Sequence, residues 1–262
     1  MKTGKPYFLI QCISVCRHLA AILAGIHYCL LSARLITLPL CISHSGESVF
    51  KNLTNIWYIR MVRRLISVSV RSPLRTSTLR LVNSNVPLSS GSGCIIAICH
   101  TPWKRLLVQW CLENNIALVI GNGKWTNRKR RIQKQGKGFS DLRDIVSYLQ
   151  HHGRIVIAFD CFSSYPNHCA LKFLGSYHNL SMLPVRLARI AQVPLIAAIP
   201  RLSNGMINID CGPQFDFNKL NSDPKGVMQT LISFLESEIK NNPGIWPAKY
   251  YQFAALNNGI LN

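Results

Sequence analysis

Four stretches of this chain are apolar without alternation, and each ends on a polar or turn-forming residue. Gly93–Cys99 ends on His100, Ile116–Ile120 ends at Gly121, Arg154–Phe159 ends on Asp160, and Val193–Ile199 ends at Pro200 and Arg201. Strands buried on both faces of a parallel sheet read this way, whereas half-exposed strands alternate. Between them the apolar positions take helical spacing. A helix is predicted from about Pro102 to Asn114, with Thr101 as its cap and Pro102 in its first turn. Others follow over Asp141–Leu149, stopped by His151-His152-Gly153, over Met182–Ala191, and over Val227–Ile239 with Val227, Leu231, Ile232, Leu235 and Ile239 on one side. Met206–Asp210 reads as a return strand after an Asn204-Gly205 hairpin turn. The stretch between Asp160 and Leu183 reads as irregular, and the aromatic tail after Asn242 as folding back on the body. Strands alternating with helices predict an α/β domain with a mixed, largely parallel central sheet flanked by helices.

The N-terminal region has a different pattern. Residues 7–41 are apolar, interrupted by Arg17, His18, His27 and Arg34. The uncharged interval from His18 to Ala33 holds 16 residues (33 − 18 + 1), short of the about 20 a straight helix needs to cross a bilayer. A helix in the membrane interface, a helix packed on the body and a true span all fit this composition. The expected organisation is a membrane-associated helix over residues 1–45 and one α/β domain over 46–262. From Val49 to Ser77 a second helical pattern is amphipathic and basic, with Trp57 and Tyr58 suited to lipid headgroups. A surface helix covering the sheet, with its arginines in water, is the alternative.

Charge and cysteines narrow the class. The 262 residues carry 30 Lys and Arg against 10 Asp and Glu, a formal +20. Such a surplus predicts an anionic partner: a phospholipid surface, nucleic acid or an acidic protein. Its densest run is Lys124, Arg128, Lys129, Arg130, Arg131, Lys134 and Lys137. The ten cysteines form no CxxC pair, so reduced thiols in a cytosolic setting are expected rather than a disulfide or metal framework. Cys161 stands apart because it follows Asp160. Phosphate-loop, dinucleotide, Gly-x-Ser-x-Gly and HExxH patterns are absent, and the aromatics around Trp125 do not make a stacking platform for single strands.

Ligands in open α/β sheets bind at the carboxyl ends of strands. His100 and Asp160 occupy two such ends and are the candidate catalytic pair. At the start of a helix, His100 is placed to move a proton beside backbone N–H groups that favour an anion. Local capping or packing is the structural alternative for either residue.

From Ile98 to about Phe253 the chain resembles the late acyltransferases of bacterial lipid A biosynthesis, within the wider lysophospholipid and glycerolipid acyltransferase group. Five elements occur in order: His100 at the head of the His-x4-acid block; the basic segment ending Gln135-Gly136-Lys137-Gly138; Ile157-Ala158-Phe159-Asp160; Leu171-Lys172-Phe173-Leu174-Gly175, like Pro-Phe-Phe-Gly; and Asn242-Pro243-Gly244-Ile245-Trp246, like Asn-Pro-Glu-x-Trp. The resemblance implies transfer of a fatty acyl group from an acyl carrier protein or coenzyme A thioester to a hydroxyl or amine of an amphiphilic acceptor. The donor is a substrate, with no resident cofactor or metal. It implies His100 as general base, Lys104 or Arg105 at the oxyanion or substrate, and Lys124, Arg128, Arg131, Lys137, Phe173 and Gly175 around acceptor or carrier. It also implies the cytoplasmic face of a bacterial inner membrane. Two departures stand out. Arg105 occupies the place of the acid, and the glycine expected after Asp160 is missing from Cys161-Phe162-Ser163-Ser164. Asp160 or another carboxylate then partners His100, or the chemistry is impaired or altered. With no carboxylate coordinated to the ring, a weaker base with a less well fixed tautomer is expected. The competing functions are a noncatalytic lipid- or partner-binding protein of this fold and a basic nucleic-acid-binding protein.

Overall fold

The computed structural model describes residues 4–32, 49–69, 82–87, 93–119, 142–162, 168–203, 206–217 and 223–247. Two helices come first, α1 (Gly4–Ser32) and α2 (Val49–Ser69). The body follows as β1 (Val82–Ser84), β2 (Cys94–Ile98), α3 (Lys104–Glu113), β3 (Ala117–Val119), α4 (Leu142–Gln150) and β4 (Arg154–Ala158). Then come β5 (His168–Phe173), β6 (Ser176–Ser181), α5 (Leu183–Ala191), β7 (Leu195–Ser203), β8 (Met206–Phe215), α6 (Pro224–Asn241) and a 3-10 turn, Pro243–Ile245.

The main sheet has the order β1-β8-β7-β2-β4-β3. Strands β7, β2, β4 and β3 are mutually parallel; β8 returns antiparallel to β7, and β1 lies parallel to β8. The sheet is therefore mixed and largely parallel, as the unbroken apolar runs predict. One face carries Ile95, Ala97, Ile155, Ile157 and Phe159 against α4, α5 and α6. The other carries Ile96, Ile98, Val156 and Ile196 against Leu107, Trp110 and Cys111 of α3. Burial on both faces is why these strands need no polar positions.

Three local features differ from expectation, and a fourth, the helix stop, falls where expected with its geometry now visible. Residues 168–181 form a hairpin rather than irregular chain, with Phe173 paired to Ser176 across Leu174-Gly175. Leu174 has φ 50° and Gly175 φ 86°, the paired positive φ values of a type I′ turn. Its strands are polar because one face is open, which hides them in a search for apolar runs. Helix α3 starts at Lys104, and the Thr101 hydroxyl instead accepts the Trp103 N–H at 3.2 Å, in a turn that buries Trp103. The stop after α4 falls on His152, at φ 65°, while Gly153 donates its N–H to the Tyr148 carbonyl at 2.8 Å. Strand β7 runs on to Ser203 because its hairpin partner β8 pairs with it past the end of the parallel sheet.

The N-terminal helices pack on the body. Ile13 of α1 and Ile59 and Val62 of α2 share a buried cluster with Trp103, Leu106 and Ile207. Arg60, Arg63 and Arg64 face solvent, with the Arg60 guanidinium 5.3 Å from the centre of the Trp57 ring. Val15, Leu19, Ile22 and Ile26 form an exposed stripe on α1 at helical spacing, opposite Ile13, Ala20 and Ala24. Among the described residues no helix is long and apolar enough to cross a membrane.

Candidate active site

Ile98 pairs with Ala158 in the parallel register of β2 and β4. Two residues further on, His100 and Asp160 leave their strands side by side. The Phe159 N–H, donated to the Ile98 carbonyl at 3.1 Å, carries the ladder up to this point. Asp160 is fully buried. A buried carboxylate is tolerated only where donors replace its water, and Asp160 has them. The His100 backbone N–H is shared between Oδ1 and Oδ2, each at 2.9 Å. His100 Nδ1 lies 2.8 Å from Oδ1, and the Trp246 indole N–H donates to Oδ2 at 2.6 Å.

This arrangement assigns the tautomer. The carboxylate accepts, so the ring nitrogen facing it, Nδ1, carries the proton and Nε2 holds the lone pair. The His100 side chain is 30% exposed while Asp160 is sealed beneath it. A histidine with its Nδ1–H held by a buried carboxylate and its face open can take a proton at Nε2 from an incoming nucleophile. Cys99, one residue before, is buried in the same apolar cluster as Trp246, and burial, reinforced by the Asp160 charge, holds its thiol well above the ordinary range.

Trp246 reaches Asp160 from the chain's last described segment. Its ring sits in an aromatic group, edge-on to Phe173 at 5.3 Å and tilted against Phe162 at 6.3 Å. His178 completes the group, 5.5 Å from Phe162 and 6.1 Å from Phe173. Burial lowers the His178 pKa, and a hydrogen bond to the Phe173 backbone opposes the shift only in part. His178 thus belongs to this packing as a neutral ring.

The other predicted site residues fall in three places. Lys104 and Arg105 are exposed in the first turn of α3, immediately after the His100 turn. Phe173 is buried in the aromatic group, and Gly175 forms the hairpin turn; their observed contacts are structural. Lys124, Arg128, Arg131 and Lys137 lie outside the described residues. Asp160 occupies the partner position that Arg105 leaves without an acid: the ring has a carboxylate at 2.8 Å, supplied from the neighbouring strand end. The expected loss of tautomer control is therefore corrected. Cys161 is no candidate nucleophile, because burial, reinforced by the Asp160 charge, pushes its thiol up to about 12.

Two residues escaped the sequence reading. Trp246 was legible only as part of a motif; nothing local says what its indole donates to. Arg201, three residues past the Ala198 that pairs with Ile98, binds Glu238 of α6 at 2.6 Å and lies 3.7 Å from Asp210 of β8. It fastens the end of α6, from which the chain turns toward Trp246. Burial raises the Glu238 pKa even so, with Arg201 opposing and Asp210 adding to the shift.

No protein-family model matches the chain, and no curated protein matches it in sequence. Among solved structures it is similar to the 1-acyl-sn-glycerophosphate (LPA) acyltransferase PlsC from Thermotoga maritima, at 10% identity and a TM-score of 0.41, over 92% of this chain and 99% of that one.

Proposed function

We propose that the chain is an acyltransferase that moves a fatty acyl group from a thioester of acyl carrier protein or coenzyme A to a hydroxyl or amine of an amphiphilic acceptor. The observation that carries this reading is the 2.8 Å contact between His100 Nδ1 and the buried Asp160, beneath an imidazole that substrate can approach. The ordered motifs ending in Trp246 supply the substrate class. Nε2 takes the proton of the acceptor as its oxygen or nitrogen attacks the thioester carbonyl. The new C–O or C–N bond forms, the C–S bond breaks, and the proton passes from Nε2 to the departing thiolate. Base catalysis of this kind contributes typically 10²- to 10⁴-fold. Backbone N–H groups at the start of α3, with Lys104 or Arg105, meet the oxyanion. The noncatalytic alternative drew on Arg105, and the coordinated Asp160 removes that support.

The setting in this reading is the cytoplasmic face of a bacterial inner membrane, with anionic lipid and acyl carrier protein as partners. The exposed stripe on α1 and the +20 charge support it. The acceptor lysines and arginines of 124–137 remain part of the proposal.

The test uses labelled palmitoyl-acyl carrier protein and palmitoyl-coenzyme A, with a total bacterial membrane lipid extract as acceptor. Wild-type protein is expected to produce labelled lipid, and His100→Ala to lose it while melting within a few degrees of wild type. No transfer from either thioester would overturn the enzymatic reading. Undiminished transfer by His100→Ala would overturn the mechanism.

A further inference from the structure

Asp160 serves His100 only if its carboxylate plane is held, and β4 ends two residues before it. We propose that Trp246 is the positioning residue of the pair: its indole N–H fixes Oδ2 of Asp160, which keeps Oδ1 on His100 Nδ1. The inference rests on reading His100 and Asp160 as the general-base pair.

The geometry is specific. Among the described residues, the indole is the one side-chain donor besides His100 that bonds this carboxylate, at 2.6 Å and fully buried. Without it, Oδ2 would keep only a half-share of the His100 backbone N–H. The carboxylate could then turn about its χ2, and Oδ1 would leave the line of Nδ1–H.

Trp246 is itself held from three sides, as a positioning group must be. Phe162 and Phe173 fix the ring. The Asn242 N–H donates to the Glu238 carbonyl at 2.9 Å, and the Asn242 side chain accepts the Gly244 N–H at 3.2 Å, so the turn is locked to α6. From above, Ile59 of α2 lies so close over Gly244 that a Cβ there would overlap its Cδ1. A helix of the N-terminal pair thus presses on the turn that aims the indole. A tryptophan kept only for apolar filling would not require a donor facing a carboxylate.

The decisive variant is Trp246→Phe, which keeps an aromatic ring and removes the N–H. Partners that orient a histidine from outside its first contacts are worth about 10- to 100-fold in metal sites, and a kcat loss of that order with unchanged KM is expected. A readout independent of substrate accompanies it: the hydrogen-bonded Nδ1–H proton of His100, a far-downfield resonance assigned by its absence in His100→Ala. It should weaken or vanish in Trp246→Phe and return in part in Trp246→His, whose ring can still donate. A folded Trp246→Phe with wild-type kcat and an unchanged resonance overturns the proposal. Should Trp246→Phe not fold, Trp246→Leu, which also removes the donor, decides: a folded protein with wild-type kcat and an unchanged resonance overturns the proposal equally. If wild type transfers no acyl group yet the resonance responds as described, the acyltransferase reading fails and the positioning role stands.

Discussion

Gly244 lies directly beneath Ile59, with no room between them for a side-chain carbon. The contact joins the N-terminal helix pair to the turn before Trp246, and so to the carboxylate that serves His100. Helix α2, for which the sequence left lipid contact and a surface helix covering the sheet both open, is therefore packed against the part of the body that shapes the site.

The outer face of that pair carries the first prediction. Val15, Leu19, Ile22 and Ile26 are exposed on α1, while Ile13, Ala20 and Ala24 hold it to the body. Replacing Leu19 and Ile22 together by Asp should leave the fold intact and remove binding to anionic vesicles that persists in high salt. Salt screens the basic charge but not apolar burial. Flotation with phosphatidylglycerol vesicles, at low and high salt, reads both components. Unchanged high-salt flotation of the double variant excludes the stripe as the contact.

Asp160→Asn keeps the shape of the side chain but replaces one acceptor by a donor among three N–H groups. An orienting carboxylate beside a catalytic histidine is worth up to about 10⁴-fold in kcat when changed this way. The buried mispairing should lower stability by about 1–3 kcal/mol. Steady-state kinetics and urea unfolding measure the two effects separately, and near-wild-type turnover would remove Asp160 from the mechanism.

His178 gives a pH dependence with a definite sign. Burial lowers its folded-state pKa below the ordinary value of about 6.5, so at mildly acidic pH the unfolded chain binds a proton that the folded one refuses. Stability is full above about pH 6.5 and falls as pH drops from there through the depressed folded value. Chemical denaturation at pH 7.5 and pH 5 should show this loss in wild type and a smaller one in His178→Phe. Equal losses in the two proteins would mean that another group titrates.

Gly175 separates turn geometry from substrate contact. At φ 86° a side chain is strained, and Gly175→Ala should cost about 1–2 kcal/mol. If Gly175 serves only the hairpin, the melting temperature falls while KM and kcat stay put. A raised KM would return the residue to the acceptor or carrier surface.

The local sequence determined five strands of the main sheet, most helices and the two residues at the strand ends. Unbroken apolar runs at 94–98, 155–158 and 195–199 have few uses other than burial between two helical layers, and His100 and Asp160 stand where such runs stop. The hairpin at 168–181 was hidden because strands with one open face carry polar residues that resemble loop. What the sequence could not determine is which residues meet. A motif read along the chain puts Arg105 where His100 expects an acid. The pairing of Ile98 with Ala158 instead brings a carboxylate from 60 residues away (160 − 100), and the return of α6 brings an indole from 86 residues beyond that (246 − 160). Sheet register and helix packing set those distances through long-range burial, and no local pattern records a contact made across the fold.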